Sequence, residues 1–79
     1  MLKVEIYTKP DCIFCVKTKD LLKFANLEYT ELVKDVHFDG NAYKERLWPS
    51  YPCVVIDGSI IGGYKEFSAW VAANILFLG

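Results

Sequence analysis

Residues 4–22 read VEIYTKPDCIFCVKTKDLL, and this stretch determines the fold that we expect for the chain. Apolar and polar side chains alternate over residues 2–7, which is the two-residue period of a β-strand. Over residues 12–25 the apolar positions recur at helical spacing instead. Pro10 lies between the two patterns and predicts a loop. The stretch therefore predicts a strand, a loop and a helix, with two cysteines where the helix begins.

The rest of the chain predicts three more strands and two more helices. An Asp-Gly pair at residues 57–58 separates two apolar runs, which is the strongest short-range signal for a β-hairpin. We expect an α/β fold whose order is β-α-β, then a short helix, a β-hairpin and a last helix. The β-α-β unit should be a right-handed parallel crossover, giving a mixed four-stranded sheet with helices on both faces. The predicted elements are strands at Leu27–Val33, Cys53–Ile56 and Ser59–Ile61, and helices from Asp39 to about Trp48 and from Tyr64 to about Leu78.

Composition and charge bound the classes of protein to which the chain can belong. The 79 residues are 53% hydrophobic and 24% charged, so we expect one globular domain over residues 1–79. The formal net charge is −1 and no basic stripe is present, which argues against a nucleic-acid partner. Three cysteines are an odd and small number, and this argues against a secreted disulfide framework.

No segment of the sequence predicts a secretory signal or a membrane span. Lys3 and Glu5 place charge where a signal peptide needs an apolar core. The most apolar stretch, Phe67–Leu78, has 12 residues and contains Asn74, whereas a spanning helix needs about 20. We therefore expect a cytoplasmic protein with no membrane partner, in which this stretch is a core helix.

Cys12 and Cys15 are the strongest candidates for chemistry. Unpaired N–H groups and the helix dipole at a helix start favour a thiolate by about 0.3–1 kcal/mol, and up to ~2 kcal/mol when partly buried. This predicts that the pKa of the Cys12 thiol is lower than that of a free cysteine. Lys9 favours the same charge, whereas Asp11 opposes it and is also an alternative helix cap. Cys15, one turn further along, is expected to be buried and to act as the resolving thiol.

A structural zinc site is the alternative interpretation of a Cys-x-x-Cys pair. Cys53 and His37 would nominally complete a Cys₃His set. Zinc sites usually bring their ligands in two tight pairs, however, and these two residues are isolated in the sequence. We therefore expect no metal, a buried core thiol at Cys53 and an exposed loop residue at His37.

Two further segments have more than one interpretation. Pro52 precedes an apolar strand, so Tyr51-Pro52 is either a cis bond in a tight turn or a simple strand-entry proline. A cis bond would leave the Tyr51 backbone free to pair with an extended peptide. Gly62-Gly63 either ends a strand or opens the N-terminus of the last helix to a carboxylate.

Three motifs in order give the chain a resemblance to glutaredoxins. Lys9–Cys15 is similar to the active-site loop of that family, and Ser50–Pro52 is similar to its Thr-Val-Pro segment with a cis-proline. Gly62–Glu66 is similar to its Gly-Gly-x-x-Asp element. The resemblance covers almost the whole chain. The length of the chain is similar to that of the compact bacterial and phage members of the family. It implies a thioredoxin-like fold and a thiol–disulfide oxidoreductase, with Cys12 and Cys15 as the catalytic pair.

The resemblance also implies a glutathione cleft. Lys9 would meet a carboxylate, and Phe14 would flank the sulfur. The Tyr51 backbone would pair with the cysteinyl unit, while Tyr64 and Lys65 would offer N–H groups to the γ-glutamyl carboxylate. The full set of substrate-binding residues implied in this way is Lys9, Phe14, Tyr51, Pro52, Gly63, Tyr64 and Lys65.

The chain departs from the family pattern at three places. Ile13-Phe14 replaces the usual Pro-Tyr between the cysteines. Trp48-Pro49 stands where a basic residue or Gln is common, and Arg46 is the nearest substitute in the sequence. Lys65-Glu66 stands where an acidic pair is often found.

The reaction implied by the resemblance is the reduction of protein disulfides or glutathionylated thiols, with glutathione as the reductant. The expected partners are glutathione and protein disulfides, with ribonucleotide reductase as one candidate by family analogy, and the expected state is a monomer. A redoxin served by thioredoxin reductase is the alternative within the same fold. Carriage of an iron–sulfur cluster between two subunits, using the first cysteine and glutathione, is an alternative of another class.

Overall fold

A computed structural model describes residues 2–76 of the chain. Its sheet has four strands in the order β2-β1-β3-β4. β1 pairs in parallel with β2 and antiparallel with β3, which in turn pairs antiparallel with β4. This confirms the predicted mixed sheet. The strands are β1 Val4–Thr8, β2 Thr30–Val33, β3 Cys53–Ile56 and β4 Ser59–Gly62.

Three α-helices connect or follow these strands. They are α1 Ile13–Phe24, α2 Gly40–Arg46 and α3 Tyr64–Val71, and a short π-helical segment, Ala72–Leu76, continues α3. Within residues 2–76 every helix is too short or too polar to cross a bilayer.

The larger core lies on the face of the sheet that α1 and α3 cover. Phe67 of α3 and Leu22 of α1 are both fully buried there, each with 0% of its surface exposed. They pack against the inward side chains of the two central strands, β1 and β3. The buried members of this core are Val4, Ile6, Leu22, Val54, Ile56, Phe67 and Val71.

The opposite face of the sheet carries a smaller, aromatic core beneath α2. Tyr43 of α2 is buried against Cys53 and Val55 of β3. The Tyr43 ring stacks on Tyr51, with a centroid distance of 4.4 Å and an interplanar angle of 11°. Helices therefore cover both faces, as the sequence predicted.

The second strand is shorter than its predicted range of Leu27–Val33. Leu27 belongs to the C-terminal cap of α1, because its N–H donates to the Leu22 carbonyl at 3.0 Å. Asn26 adopts a left-handed conformation with φ 60° and donates to the Lys23 carbonyl, which completes a Schellman motif. β2 consequently begins only at Thr30.

The other two helix ends also differ from the prediction. α2 ends at Arg46 rather than near Trp48, and the N–H groups of Leu47 and Trp48 both donate to the Tyr43 carbonyl. The α-helical part of the last helix ends at Val71, where π-type geometry begins. Its predicted end near Leu78 lies outside the described residues.

Candidate active site

The two cysteines of the Cys-x-x-Cys motif lie at the N-terminus of α1, joined as a disulfide with their Cα atoms 5.2 Å apart. Cys12 is the N-cap residue, and its sulfur accepts a hydrogen bond from the Cys15 N–H at 3.2 Å. Asp11, the alternative cap, has φ 56° and does not cap the helix. Cys12 is partly exposed, whereas Cys15 is 2% exposed. The helix start thus presents the first sulfur to solvent and holds the second beneath it.

The Tyr51-Pro52 bond is cis, so of the two interpretations of this segment the cis form is present. Pro52 is fully buried and directly precedes β3. Tyr51 directly precedes this proline in the sequence, and its ring stacks on Tyr43 of the aromatic core.

A groove of about 290 Å³ runs between the start of α1, the cis-proline and the start of α3; we call it the substrate groove. The rings of Phe14 and Tyr64 line it next to each other, with centroids 5.9 Å apart and an interplanar angle of 41°. Trp48, which sequence reasoning noted only as a departure from the family pattern, also lines the groove. Six of the seven residues predicted to bind substrate line it together: Phe14, Tyr51, Pro52, Gly63, Tyr64 and Lys65.

The first turn of α3 forms one wall of the substrate groove. Its N-cap is Gly63, which has no side chain to accept hydrogen bonds from the N–H groups that follow it. Glu66 accepts a hydrogen bond from the Gly63 N–H at 2.9 Å but leaves the next N–H groups without a capping side chain. Lys65, exposed at this turn, adds a positive charge, and the exposed Glu66 carboxylate adds a negative one. The N–H groups without a capping side chain are therefore the part of the wall that suits an anionic group.

Lys9, the seventh predicted residue, lines an adjacent cleft of about 390 Å³. Its Nζ lies 5.7 Å from the centre of the Tyr51 ring. Lys34 and Lys44 line the same cleft, and neither was identified from the sequence. Arg46, the expected basic substitute, lines neither this cleft nor the substrate groove. We call this second depression the lysine cleft.

A third cleft, of about 550 Å³, lies around Cys12 and Cys15 on the side of β2. Within it the Thr8 hydroxyl donates to Glu31 at 2.7 Å, and the Lys19 ammonium lies 3.2 Å from the same carboxylate. The hydrogen bond from Thr8 is the largest cause that holds the pKa of Glu31 below its usual value. Sequence reasoning missed this trio, because the pairing of β1 with β2 brings Thr8 to Glu31 and the packing of α1 adds Lys19.

A profile of the glutaredoxin family matches residues 4–61. Glutaredoxin 3 of Escherichia coli (strain K12) is 35% identical over 75 residues, which cover 87% of this chain and 86% of that protein. The chain belongs to the glutaredoxin family.

Further relatives agree with this assignment. Glutaredoxin 1 of E. coli (strain K12) is 29% identical over 94% of this chain and 98% of its own length. The crystal structure of glutaredoxin 1 from Francisella tularensis superimposes with a TM-score of 0.80 at 28% identity, covering 98% of this chain and 99% of that one. These likenesses confirm the thioredoxin-like fold. Together with the Cys12–Cys15 pair, family membership makes this glutaredoxin a thiol–disulfide oxidoreductase.

The third cysteine of this glutaredoxin is separate from the redox pair. Cys53 is 0% exposed, and burial raises the pKa of its thiol to about 11. At pH 7 only about one such thiol in ten thousand is ionised. Because the folded state holds this proton more tightly than the unfolded chain, the resulting stabilisation is complete below the ordinary value of 9.0 and is lost as the pH rises through about 11. The predicted buried core thiol is confirmed.

His37 lies in the exposed loop after β2, as predicted, and its Nδ1 accepts a hydrogen bond from the Val33 N–H at 2.9 Å. Among residues 2–76 no group of three or more His, Cys, Asp or Glu side chains is placed to hold a metal ion. His37 and Cys53 therefore do not complete a zinc site with the redox pair in the part of the chain that the structure describes.

The three thiols should differ sharply in their rates of alkylation. In reduced, folded protein near pH 7, we expect iodoacetamide to modify Cys12 first and to leave Cys53 unmodified, because buried neutral thiols are poor nucleophiles. Peptide mass spectrometry over a time course measures this order, and the same reaction in urea is the control, in which all three cysteines should react. Modification of Cys53 at a rate close to that of Cys12 in native buffer would contradict the assignment.

Proposed function

We propose that this protein is a glutathione-dependent oxidoreductase that reduces protein disulfides and glutathionylated thiols, with Cys12 as nucleophile and Cys15 as resolving thiol. The observation that carries the proposal is the substrate groove, which brings six predicted binding residues together beside the N-terminus of α1. These residues come from three separate segments of the chain, and a structural role for each segment alone would not require them to line one groove.

Each part of glutathione has a matching feature in and beside the groove. The Tyr51 backbone, next to the cis-proline, would pair with the cysteinyl unit. The uncapped N–H groups of Tyr64 and Lys65 would bind the γ-glutamyl carboxylate. Lys9, beside the Tyr51 ring, would meet the second carboxylate. Phe14 lines the groove and would flank the sulfur of the cysteinyl unit.

The proposed reaction is two successive thiol–disulfide exchanges. The Cys12 thiolate attacks one sulfur of the substrate disulfide, a new S–S bond forms, and the displaced thiolate takes a proton from water. With a protein disulfide, Cys15 then attacks the mixed disulfide, releases the second thiol and forms the Cys12–Cys15 disulfide, which two glutathione molecules reduce as they become glutathione disulfide. With a glutathionylated thiol, one glutathione thiolate attacks the disulfide between Cys12 and glutathione, leaves as glutathione disulfide and regenerates the Cys12 thiolate. We propose a monomer acting on protein disulfides, with ribonucleotide reductase as one candidate substrate.

The source of electrons distinguishes this proposal from the alternative redoxin. Oxidised protein is mixed with NADPH and either glutathione plus glutathione reductase or thioredoxin reductase alone. We expect NADPH to be consumed with the glutathione system only, and the absorbance of NADPH measures this consumption. Reduction by thioredoxin reductase with no reduction by glutathione would overturn the glutathione assignment and leave the oxidoreductase activity intact.

Reversing the charge at Lys65 tests the wall formed by α3. We expect Lys65→Glu to raise the KM for a glutathionylated peptide about fivefold or more, because one charge-assisted contact is worth about 1 kcal/mol or more. Lys23→Glu, on an exposed site at the end of α1, is the matched control with the same charge change and should leave the KM unchanged. An equal rise in both variants would indicate an effect of net charge and not of the groove.

A further inference from the structure

We propose that the lysine cleft binds an acidic segment next to the reactive cysteine of a protein substrate. The inference rests on the proposed function in one respect, which is that the substrate disulfide reaches Cys12. The lysine cleft adds a preference that the substrate groove alone does not give, which is a preference for substrates whose disulfide is flanked by acidic residues.

Unpaired positive charge is concentrated in the lysine cleft. Lys9, Lys34 and Lys44 line the cleft, and its lining contains no carboxylate, although the chain as a whole has a formal charge of −1. Among the described residues 2–76 the one ion pair is between Lys19 and Glu31. All three ammonium groups of the cleft are therefore available to a ligand.

Two acidic side chains of the loop before α2 are engaged by the backbone. Asp35 accepts a hydrogen bond from the Gly40 N–H at 3.1 Å, and Asp39 accepts one from the Asn41 N–H at 2.8 Å. Neither aspartate lines the cleft. Both carboxylates are held by backbone N–H groups outside the lining of the cleft, although Asp35 is near enough to contribute, after burial, to the raised pKa of the Tyr51 hydroxyl.

Lys34 is held in place by the loop and is not a freely moving surface side chain. A Cβ at Gly40 would lie 2.7 Å from Lys34 Cε and 3.1 Å from its Cγ, so the aliphatic part of the lysine lies directly on the glycine. Gly40 is buried and Lys34 is half-buried. Because the side chain is already ordered, less conformational entropy is lost when its ammonium binds an anion.

The cleft is continuous with the substrate groove. Pro49, Ser50 and Tyr51 line both depressions. An extended peptide paired with the Tyr51 backbone advances about 3.3 Å per residue. A residue one to three positions from the bound cysteine lies about 3–10 Å along the peptide. This range includes the distance of 5.7 Å between Lys9 Nζ and the centre of the Tyr51 ring, at the edge of the cleft. Glutathione, with one residue on each side of its cysteine, reaches this cleft with a single carboxylate at most, whereas a protein segment can present two or three.

The test compares two peptides of equal length, each carrying an intramolecular disulfide. One has three glutamates beside a cysteine, and the other has glutamines at the same positions. Wild-type protein should reduce the acidic peptide with a kcat/KM at least about fivefold higher, and raising the NaCl concentration to 0.5 M should remove most of this difference.

Lys34→Gln/Lys44→Gln keeps Lys9 and should remove most of the preference, while the rate for the glutamine peptide stays within about twofold of wild type. Lys3→Gln/Lys23→Gln removes the same charge from exposed sites outside both depressions and should keep the preference. Gly40→Ala retains all charges but displaces Lys34, and should reduce the preference to an intermediate value. Circular dichroism and melting curves verify that each variant is folded.

Several outcomes would overturn the inference. One is equal reduction of the two peptides by wild-type protein. Another is loss of the preference in the control variant, which would indicate net charge alone. A third is a decrease in kcat/KM of the Lys34→Gln/Lys44→Gln variant that is equally large for the acidic peptide and for a glutathionylated small thiol. That result would assign the cleft to glutathione and not to a protein segment. Failure of the proposed function appears separately, as no NADPH consumption with the glutathione system.

Discussion

Cys12→Ser is expected to lower both disulfide reduction and deglutathionylation by at least about a thousandfold, because it removes the proposed nucleophile. Cys15→Ser is expected to abolish reduction of protein disulfides that need a resolving thiol, while it retains much of the deglutathionylation rate. The asymmetry follows from exposure, since Cys12 is partly accessible whereas Cys15 is 2% exposed. A substrate disulfide can reach the Cys12 sulfur. The Cys15 sulfur, in contrast, can attack only a mixed disulfide that has already formed on Cys12.

The measurement uses one glutathionylated peptide and one protein disulfide, each assayed with glutathione, glutathione reductase and NADPH. Cys53→Ala is the matched control, because it removes a thiol that is buried and neutral at the assay pH. It should keep the wild-type rate with both substrates if it folds. Equal loss of deglutathionylation in Cys12→Ser and Cys15→Ser would refute the division of roles between the two cysteines.

Phe67→Ala should have the largest effect on stability of any substitution considered for this chain. The side chain is 0% exposed and joins α3 to the core that α1 and the central strands form. Its truncation removes buried apolar surface and leaves a cavity, and such changes cost about 3–5 kcal/mol. For a domain of this size, that loss is comparable to the whole free energy of unfolding, so a large fraction of the variant is expected to be unfolded at 37 °C.

Phe24→Ala is the matched control for this experiment, since the same atoms are removed from a ring that is 71% exposed. We expect it to change the free energy of unfolding by less than about 0.5 kcal/mol. Urea unfolding of all three proteins in the same redox state, followed by circular dichroism, gives both values. Similar losses for the two variants would mean that α3 does not anchor the core in the way described.

The parts of the fold that were predictable depend on residues close together in the sequence. The alternating pattern of β1 and the helical pattern of α1 identified both elements. The hairpin was predicted from Asp57-Gly58, and both residues have the positive φ values that such a turn requires, 50° and 81°. The redox pair was placed correctly because a loop that enters a helix fixes where its first residues lie. Local chemistry was sufficient for each of these features.

The parts that were missed depend on contacts between segments far apart in the sequence. Thr8 and Glu31 meet because β1 and β2 run in parallel, and no local pattern specifies that register. Lys34 takes its position from the absence of a side chain at Gly40, which is visible only once the loop has folded. Leu27 was assigned to a strand, yet the left-handed Asn26 places it at the end of α1.

The N-cap of α1 has a consequence for which residues position 12 tolerates. Serine, asparagine and aspartate are the strongest N-cap residues, and their oxygen atoms accept backbone hydrogen bonds better than sulfur does. If the helix start were the only constraint at this position, one of them would be the better choice. Cys12 therefore stabilises the helix start less than these residues would, but it provides a nucleophilic sulfur. Libraries selected for folding alone should replace it with an oxygen-bearing residue, and libraries selected for electron transfer should keep it.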